Sequence, residues 1–409
     1  MNKKIILIIL LILIFLGCSY LFIKKDKTTT NKKEVVVWTL QMGDFASYMN
    51  NIISEYESQN PDIKIKWIDV PFSEGEKRTL AAILSNSPPD LVNLNPDFSS
   101  ILAQKGTLEF IPQEKLTKYN IDVVNSLKYK GNIFGVPWYA TSAITIYNKD
   151  LVKKAKILEL PKTYNDLSNL AKQTKIATGK YIYLPTITEN DTMLKLLNKY
   201  GINSYTNINS KVSIDVFNMF KALYQTNLIP AESITQTHRE ALEKYMSGNI
   251  VFFQGGANFL SMIKDNAPDI YAKTEITNQI VGNIGQYDFS LMNFVVPKRA
   301  KNKQEAIDFG VFLTNEKNQL ELAYKTNIIA TNSNALKNNF YNSNTDLMAK
   351  ARSISAEQIQ HVNPVMHQIK NQKDLNTLVN TAVQCVLLNK DKTENILDRL
   401  SDDWKELTK

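Results

Sequence analysis

Three histidines, His238, His361 and His367, are the whole supply of imidazole in a chain of 409 residues. His361 and His367 stand six apart with Pro364 between them, so they are not the i, i+4 pair that sets two metal ligands on one helix face. No HExxH run, GxSxG elbow, Walker loop or dinucleotide glycine fingerprint occurs. The 40 acidic residues leave a glycosidase-type pair of carboxylates open. What the residues suit better is recognition. Trp138 and Tyr139 are adjacent aromatics after Gly135-Val136-Pro137, and Phe259 follows Gly255-Gly256-Ala257-Asn258. A flat ring beside glycines, which allow close backbone approach or a tight turn, can stack on a ligand. Each also has a plain reading as a core residue.

Position in the cell is set by the first residues. Lys3 and Lys4 precede an uncharged run, Ile5 to Gly17, built almost entirely of Ile and Leu, which is the pattern of a secretory signal. Phe15-Leu16-Gly17-Cys18 then resembles the lipobox of bacterial lipoproteins, which implies cleavage before Cys18 and a lipid on that residue. Phe15 departs from the usual Leu. Tyr20 to Ile23 prolong the apolar stretch, so Ile5–Ile23 also suits an uncleaved anchor, which needs about 20 apolar residues. Either way the folded part is expected on the extracytoplasmic face of the cell membrane. Lys24 to Glu34 reads as a polar tether, with attraction to anionic headgroups as the sharper alternative.

The formal charge of +8 is spread thinly, and no basic block marks a nucleic-acid face. With Cys18 assigned to the anchor, Cys385 has no partner for an intramolecular bridge, and its apolar helical setting makes it a small buried hydrophobe. Val35 to Lys409 is too long for one ordinary core and predicts two domains.

The elements that must position these residues alternate. Val35–Trp38 reads as a strand, Phe45 to Tyr56 as an amphipathic helix, Ile63–Trp67 as a strand, Glu76–Asn86 as a helix and Leu91–Leu94 as a strand. That order implies a parallel sheet with right-handed crossovers, whose ligands sit beyond the carboxyl ends of the strands. Gln41, Met42, Asn95 and Asp97 then stand at the mouth of a crevice. Ala143–Tyr147 and Ile250–Phe253 read as further strands, with helices at Thr163–Thr174, Thr192–Tyr200, Val212–Thr226 and Glu240–Ser247. Residues 287–297 read as a strand and Lys303–Thr314 as a helix.

Several stretches together carry a family resemblance. They are VVVWTL with NPDIKIKWIDV, SPPDLVNLNPDFSSILAQKGTLEFI, GNIFGVPWYATSAITIYNKDLVKKA with PKTYNDLSNLAK, YMSGNIVFFQGGANFL, and LMNFVVPKRAKNKQEAIDFGVFLTNEKNQLELA. In that order, over Val35 to about Asn332, the chain resembles the extracellular solute-binding proteins of ABC importers, in the group (family 1) that serves sugar and oligosaccharide uptake. The resemblance implies an α/β, two-lobed periplasmic-binding-protein-like fold, each lobe a mainly parallel sheet flanked by helices, with the ligand in the cleft between. It implies lobe 1 from 35–141 plus 291–333 and lobe 2 from 142–290 plus 334–409. Chain crossings are expected near Thr141–Ile144, Asp288–Asn293 and Ile329–Ala335. A receptor of this kind performs no chemistry, needs no cofactor or metal, and works as a monomer with ABC permease subunits.

The resemblance also fixes expected contacts. A sugar offers an apolar patch of C–H groups and a rim of hydroxyls, so its site needs aromatic platforms and a few orienting polar groups. Gln41, Asp97, Trp138, Tyr139, Gly256, Asn258, Phe259 and Asn293 are the expected set. Phe259 matches a loop that often carries Trp in the family, which keeps stacking but removes the indole donor. Asp97 is either a ligand contact accepting charge-assisted hydrogen bonds or a turn residue after Pro96. The solutes that compete with a carbohydrate are a polyamine, a phosphorylated polyol and ferric iron. The few arginines (Arg78, Arg239, Arg299, Arg352, Arg399) speak against phosphate. A sensing protein without transport is the other class.

Overall fold

The computed structural model describes residues 32–326, 328–362 and 371–408. Three parallel strands open the fold: β1 (Lys33–Leu40), β2 (Ile63–Val70) and β3 (Leu91–Leu94), in the spatial order β2-β1-β3. Val35 and Val37 alternate inward on β1 as a strand period of two requires. Helix Ala46–Gln59 packs above them through Tyr48, Met49, Ile52, Ile53 and Tyr56, the same helical stripe that is visible in the sequence. Helix Gly75–Leu84 makes the second crossover.

One strand organises the rest. β4 (Val136–Asn148) runs for 13 residues, roughly 40 Å at a strand's rise per residue. Its first half pairs with β7 (Phe289–Val295) and β8 (Ile329–Ala330), giving the sheet order β8-β4-β7-β3-β1-β2. Its second half pairs with β5 (Phe252–Gly256) and β6 (Thr274–Thr277). All four of those pairings, and that of β3 with β7, are antiparallel. The expectation of mainly parallel sheets therefore holds only for β2-β1-β3. The reason is geometric: a strand that traverses the molecule must be met by strands returning across it. Pro137 lies within this strand. β4 continues through it with a shift of register between Pro137 and Tyr139, at the edge of the β7 ladder.

The side chains segregate into two bodies. The first core gathers Val35 to Ala140 with Phe289 to Tyr341. The second body has two contiguous cores, one around Leu167, Leu197, Phe217 and Val383, the other around Ile144, Ile146, Leu242, Phe253 and Leu260. The mixed α/β, two-lobed architecture is as expected. The third crossing lies later than expected, because Ala335, Leu336 and Tyr341 still pack in the first core. Helix Leu347–Gln358 then lies across the boundary, with Ala351 in a core of the second lobe and Ala356 and the following Ile359 in the first. Helices Gln372–Leu387 and Thr393–Thr408 pack on the second lobe through Val379, Val383, Leu397 and Trp404.

Candidate functional site

The chain passes between lobes in the middle of β4, in the segment 280–289, and along the boundary helix. A cleft of about 800 Å³ opens where these meet, a size suited to a small organic ligand. Thr141, Ser142 and Ala143 of β4, with Asp288, Phe289 and Ser290, form its floor, and Ile328 and Ile329 enter from the first lobe.

The wall is built by the second lobe. At the end of β5, Gly255 sits where an added Cβ would fall 2.7 Å from both the Phe253 and Phe259 rings. Only glycine lets the two rings close to 5.5 Å, edge to face. His238 completes the cluster, 4.8 Å from Phe253 and 5.3 Å from Phe259. Burial holds its imidazole below the usual histidine range, against the pull of the Glu189 carboxylate. Helix Asn258–Asn266 begins here, so Asn258 and the partly exposed Phe259 face the cleft on its first turn.

Polar groups surround the rings. Gln254 Nε2 donates to the Tyr164 hydroxyl at 3.2 Å, while its Oε1 accepts from Ile280 N at 3.2 Å. Helix Thr192–Asn198 and the residue after it supply two lysines. Lys195 pairs with Asp191 at 3.0 Å. Burial opposes its ammonium, but Asp191, Asp288 and Asp97 together raise it above the usual lysine value. Lys199 is nearly inaccessible and meets Asp288 at 2.9 Å, Gln279 Oε1 at 3.2 Å and the Ile280 carbonyl at 3.1 Å. Here too burial opposes the charge and Asp288, with Tyr164, more than restores it.

The expected residues divide. Gly256, Asn258 and Phe259 line the cleft. Asp97 lies exposed on the first turn of helix Pro96–Gln104, whose cap is Asn95 accepting from Phe98 N at 2.8 Å. It belongs to the first lobe, yet its charge reaches Lys195 of the second. Gln41 stands at the carboxyl end of β1 in the left-handed region, φ 53°, and is exposed, outside the lining of the cleft.

The other three are framework. Trp138 is fully buried in the first core, its ring against Tyr139 at 4.9 Å and Phe294 at 4.7 Å. Both indole contacts are taken by protein, so the stacking expected of it has no open face. Tyr139 is half-buried on β4, paired with Ala330 and outside the lining of the cleft, and desolvation raises its hydroxyl's pKa. Asn293 is fully buried, donating to Ser99 Oγ at 3.2 Å and accepting from Asn93 Nδ2 on its backbone carbonyl at 3.3 Å. It ties β3 to β7.

Sequence reasoning weighed His238 only as one of three histidines and passed over Tyr164, Gln254, Lys195, Lys199 and the Gln279–Asp288 pair as site residues. Gln254 carried a usable signal, because it immediately precedes the Gly255-Gly256 pair. Lys199, a lysine just after an apolar helix, carries no local sign of its burial.

Among the described residues no group of three or more His, Cys, Asp or Glu is placed to hold a metal, and no helix is long and apolar enough to cross a membrane. Cys18 and His367 lie outside the described residues, whereas His361 is exposed at the end of the boundary helix.

The decisive comparison is with a family model. That of the bacterial extracellular solute-binding proteins matches residues 41–320. The chain belongs to this family. Among its relatives is an arabinooligosaccharide-binding protein of Halalkalibacterium halodurans, 22% identical over 257 residues, which are 59% of this chain and 57% of the relative. A galactooligosaccharide-binding protein of Bacillus subtilis is 21% identical over 394 residues, covering 93% and 90% of the two chains. Solved structures agree in fold. A proposed oligosaccharide periplasmic-binding protein from Synechococcus sp. MITs9220 superposes with a TM-score of 0.82 at 24% identity, over 91% of this chain and 98% of that one. The sugar-binding protein MalE of Xanthomonas citri gives 0.77 at 18%, over 92% and 97%. In a solute-binding protein of this fold, the space between lobes, with both lobes' groups around it, is the place for a solute.

Proposed function

We propose that this solute-binding protein is the extracytoplasmic receptor of an ABC importer, taking a carbohydrate, an oligosaccharide, into its inter-lobe cleft and passing it to a membrane permease. The observation that carries the reading is the Phe253–Phe259–His238 cluster set beside Asn258, Gln254 and Glu189 on the cleft wall. The exposed part of the Phe259 ring can lie against the C–H face of a pyranose, and amides and carboxylates meet its hydroxyls. The names of the oligosaccharide-binding relatives support the same solute class. The cleft performs binding and no bond-making. Anchoring through a lipid on Cys18 completes the proposal, since it keeps the receptor beside its permease.

The test is a thermal-shift screen of oligosaccharides alongside polyamines, phosphorylated polyols and ferric iron. A true ligand at 100 times its dissociation constant stabilises the fold by about 2.7 kcal/mol. Stabilisation by one or more oligosaccharides is expected. A response confined to one of the other three classes would overturn the carbohydrate reading.

A further inference from the structure

Gln358, at the last turn of the boundary helix, is fully buried and reaches every segment that joins the lobes. Its Nε2 donates to Ser142 Oγ and to the Ala143 carbonyl, each at 2.8 Å, on β4 where the two lobes meet. Its Oε1 accepts from Gln279 N at 2.6 Å, at the start of the segment that returns to the first lobe. The Gln279 side chain carries the connection onward, its Oε1 accepting from Asp288 N at 2.8 Å and Lys199 Nζ at 3.2 Å. Only one orientation of the Gln358 amide satisfies this arrangement, because a carbonyl stands on one side and an N–H on the other.

We propose that Gln358 is a positioning residue of the binding site, holding the three inter-lobe passages in one register so that the hinge and the cleft floor move as a single structure. Ser142, Gln279 and Asp288 are both links of this chain and lining of the cleft. Anything that shifts one passage against the others therefore shifts cleft groups, and the bonds resist that shift. The unliganded lobes then sample a narrow range of separations, and less ordering is left for the ligand to impose. No other side chain of this length could replace the amide in full. Leucine leaves Gln279 N without its side-chain acceptor and leaves Ala143 O only the longer bond from Ser142 Oγ, at 3.3 Å, and glutamate keeps the acceptor but loses both donors. The affinity arm of the test rests on the proposed carbohydrate function, whereas the arm without ligand does not.

The experiment measures inter-lobe distances by spin labels on Lys105→Cys in the first lobe and Lys172→Cys in the second, both exposed positions. It uses the full chain in detergent with Cys18 and Cys385 replaced by serine. Without ligand, Gln358→Leu is expected to broaden the distance distribution, and calorimetry with the oligosaccharide found by screening should give about tenfold weaker binding, since tenfold is the scale of one well-placed polar contact. Should Gln358→Leu fail to fold, Gln358→Glu carries the same test. A purely structural role would lower Tm and leave both readouts alone. An unchanged distribution in a folded variant, or an unchanged dissociation constant beside a broader distribution, overturns the proposal. If the wild-type protein binds no oligosaccharide, the carbohydrate reading fails, and the label distances alone decide the role of Gln358.

Discussion

Lys199 of the second lobe and Asp288 of the returning segment meet at 2.9 Å on the floor of the cleft, with the lysine side chain only 4% exposed and the aspartate 27%. The pair fastens the second inter-lobe passage to the body that carries the aromatic wall. It also disposes of a charge that burial alone would not tolerate.

Removing both partners should therefore cost less than the two single losses added together. Asp288→Asn strands a buried ammonium and is expected to destabilise the protein by about 3 kcal/mol, the low end for a broken buried pair because Asp288 retains some solvent. In Lys199→Met with Asp288→Asn together, the loss should be clearly smaller than the sum of the single losses. Urea unfolding of the three variants checks this, and strict additivity would show that the pair is not coupled.

Phe259 and Trp138 separate binding from stability. Phe259→Ala opens the cleft wall and is expected to weaken oligosaccharide binding at least tenfold, about 1.4 kcal/mol, with the fold intact. Trp138→Ala empties a site in the first core and should cost about 3–5 kcal/mol of stability. Calorimetry paired with thermal unfolding distinguishes them. Wild-type affinity in folded Phe259→Ala would remove that ring from the site.

His238 supplies a pH signature. Burial lowers its folded-state pKa below the unfolded value, so the unfolded chain binds the proton more readily. The stability contribution is then present above about pH 6.5, the unfolded histidine value, and is lost as pH falls toward the folded pKa. Wild-type stability measured by urea should drop more between pH 7.5 and 5.5 than that of His238→Gln. Equal drops in the two proteins would mean that the imidazole beside Phe253 does not control the acid limb.

Cys18 tests the anchor. Metabolic labelling with a fatty-acid analogue should mark the wild type and not Cys18→Ala. Equal labelling would exclude Cys18 as the acceptor, and an unlabelled wild type that retains residues 1–17 by mass spectrometry would favour the uncleaved anchor.

How much of this was legible depends on range. The Tyr48–Tyr56 stripe and the alternation in Ile63–Trp67 are local periodicities, and the elements they announce are present. The glycine pair before Phe259 announced a close approach, and the structure shows what approaches: two rings that a Cβ would strike. Trp138 reads as a platform because an aromatic after a glycine and a proline has the same local context in a binding loop as in a bulged strand. The bulge that absorbs Pro137 depends on β7, which lies some 150 residues further along the chain and leaves no local trace. Lys199 and Gln358 were invisible for the same reason. A buried polar side chain is intelligible only through its partners, and those of Gln358 come from β4 and residue 279. Asp97 is expected at a crevice from strand order; it lies exposed on helix Pro96–Gln104, outside the lining of the cleft, and its charge acts on Lys195 of the other lobe.

The central claim is that an oligosaccharide is held between the lobes by groups from both and closes them. Closure requires contacts absent from the open form, and an equilibrium moved from 1:99 to 99:1 takes about 5.5 kcal/mol of differential affinity. Small-angle scattering on the protein with and without saturating oligosaccharide, binding being verified by calorimetry on the same sample, measures this most directly. The account predicts a smaller radius of gyration with ligand, and an unchanged profile from a saturated sample would contradict it.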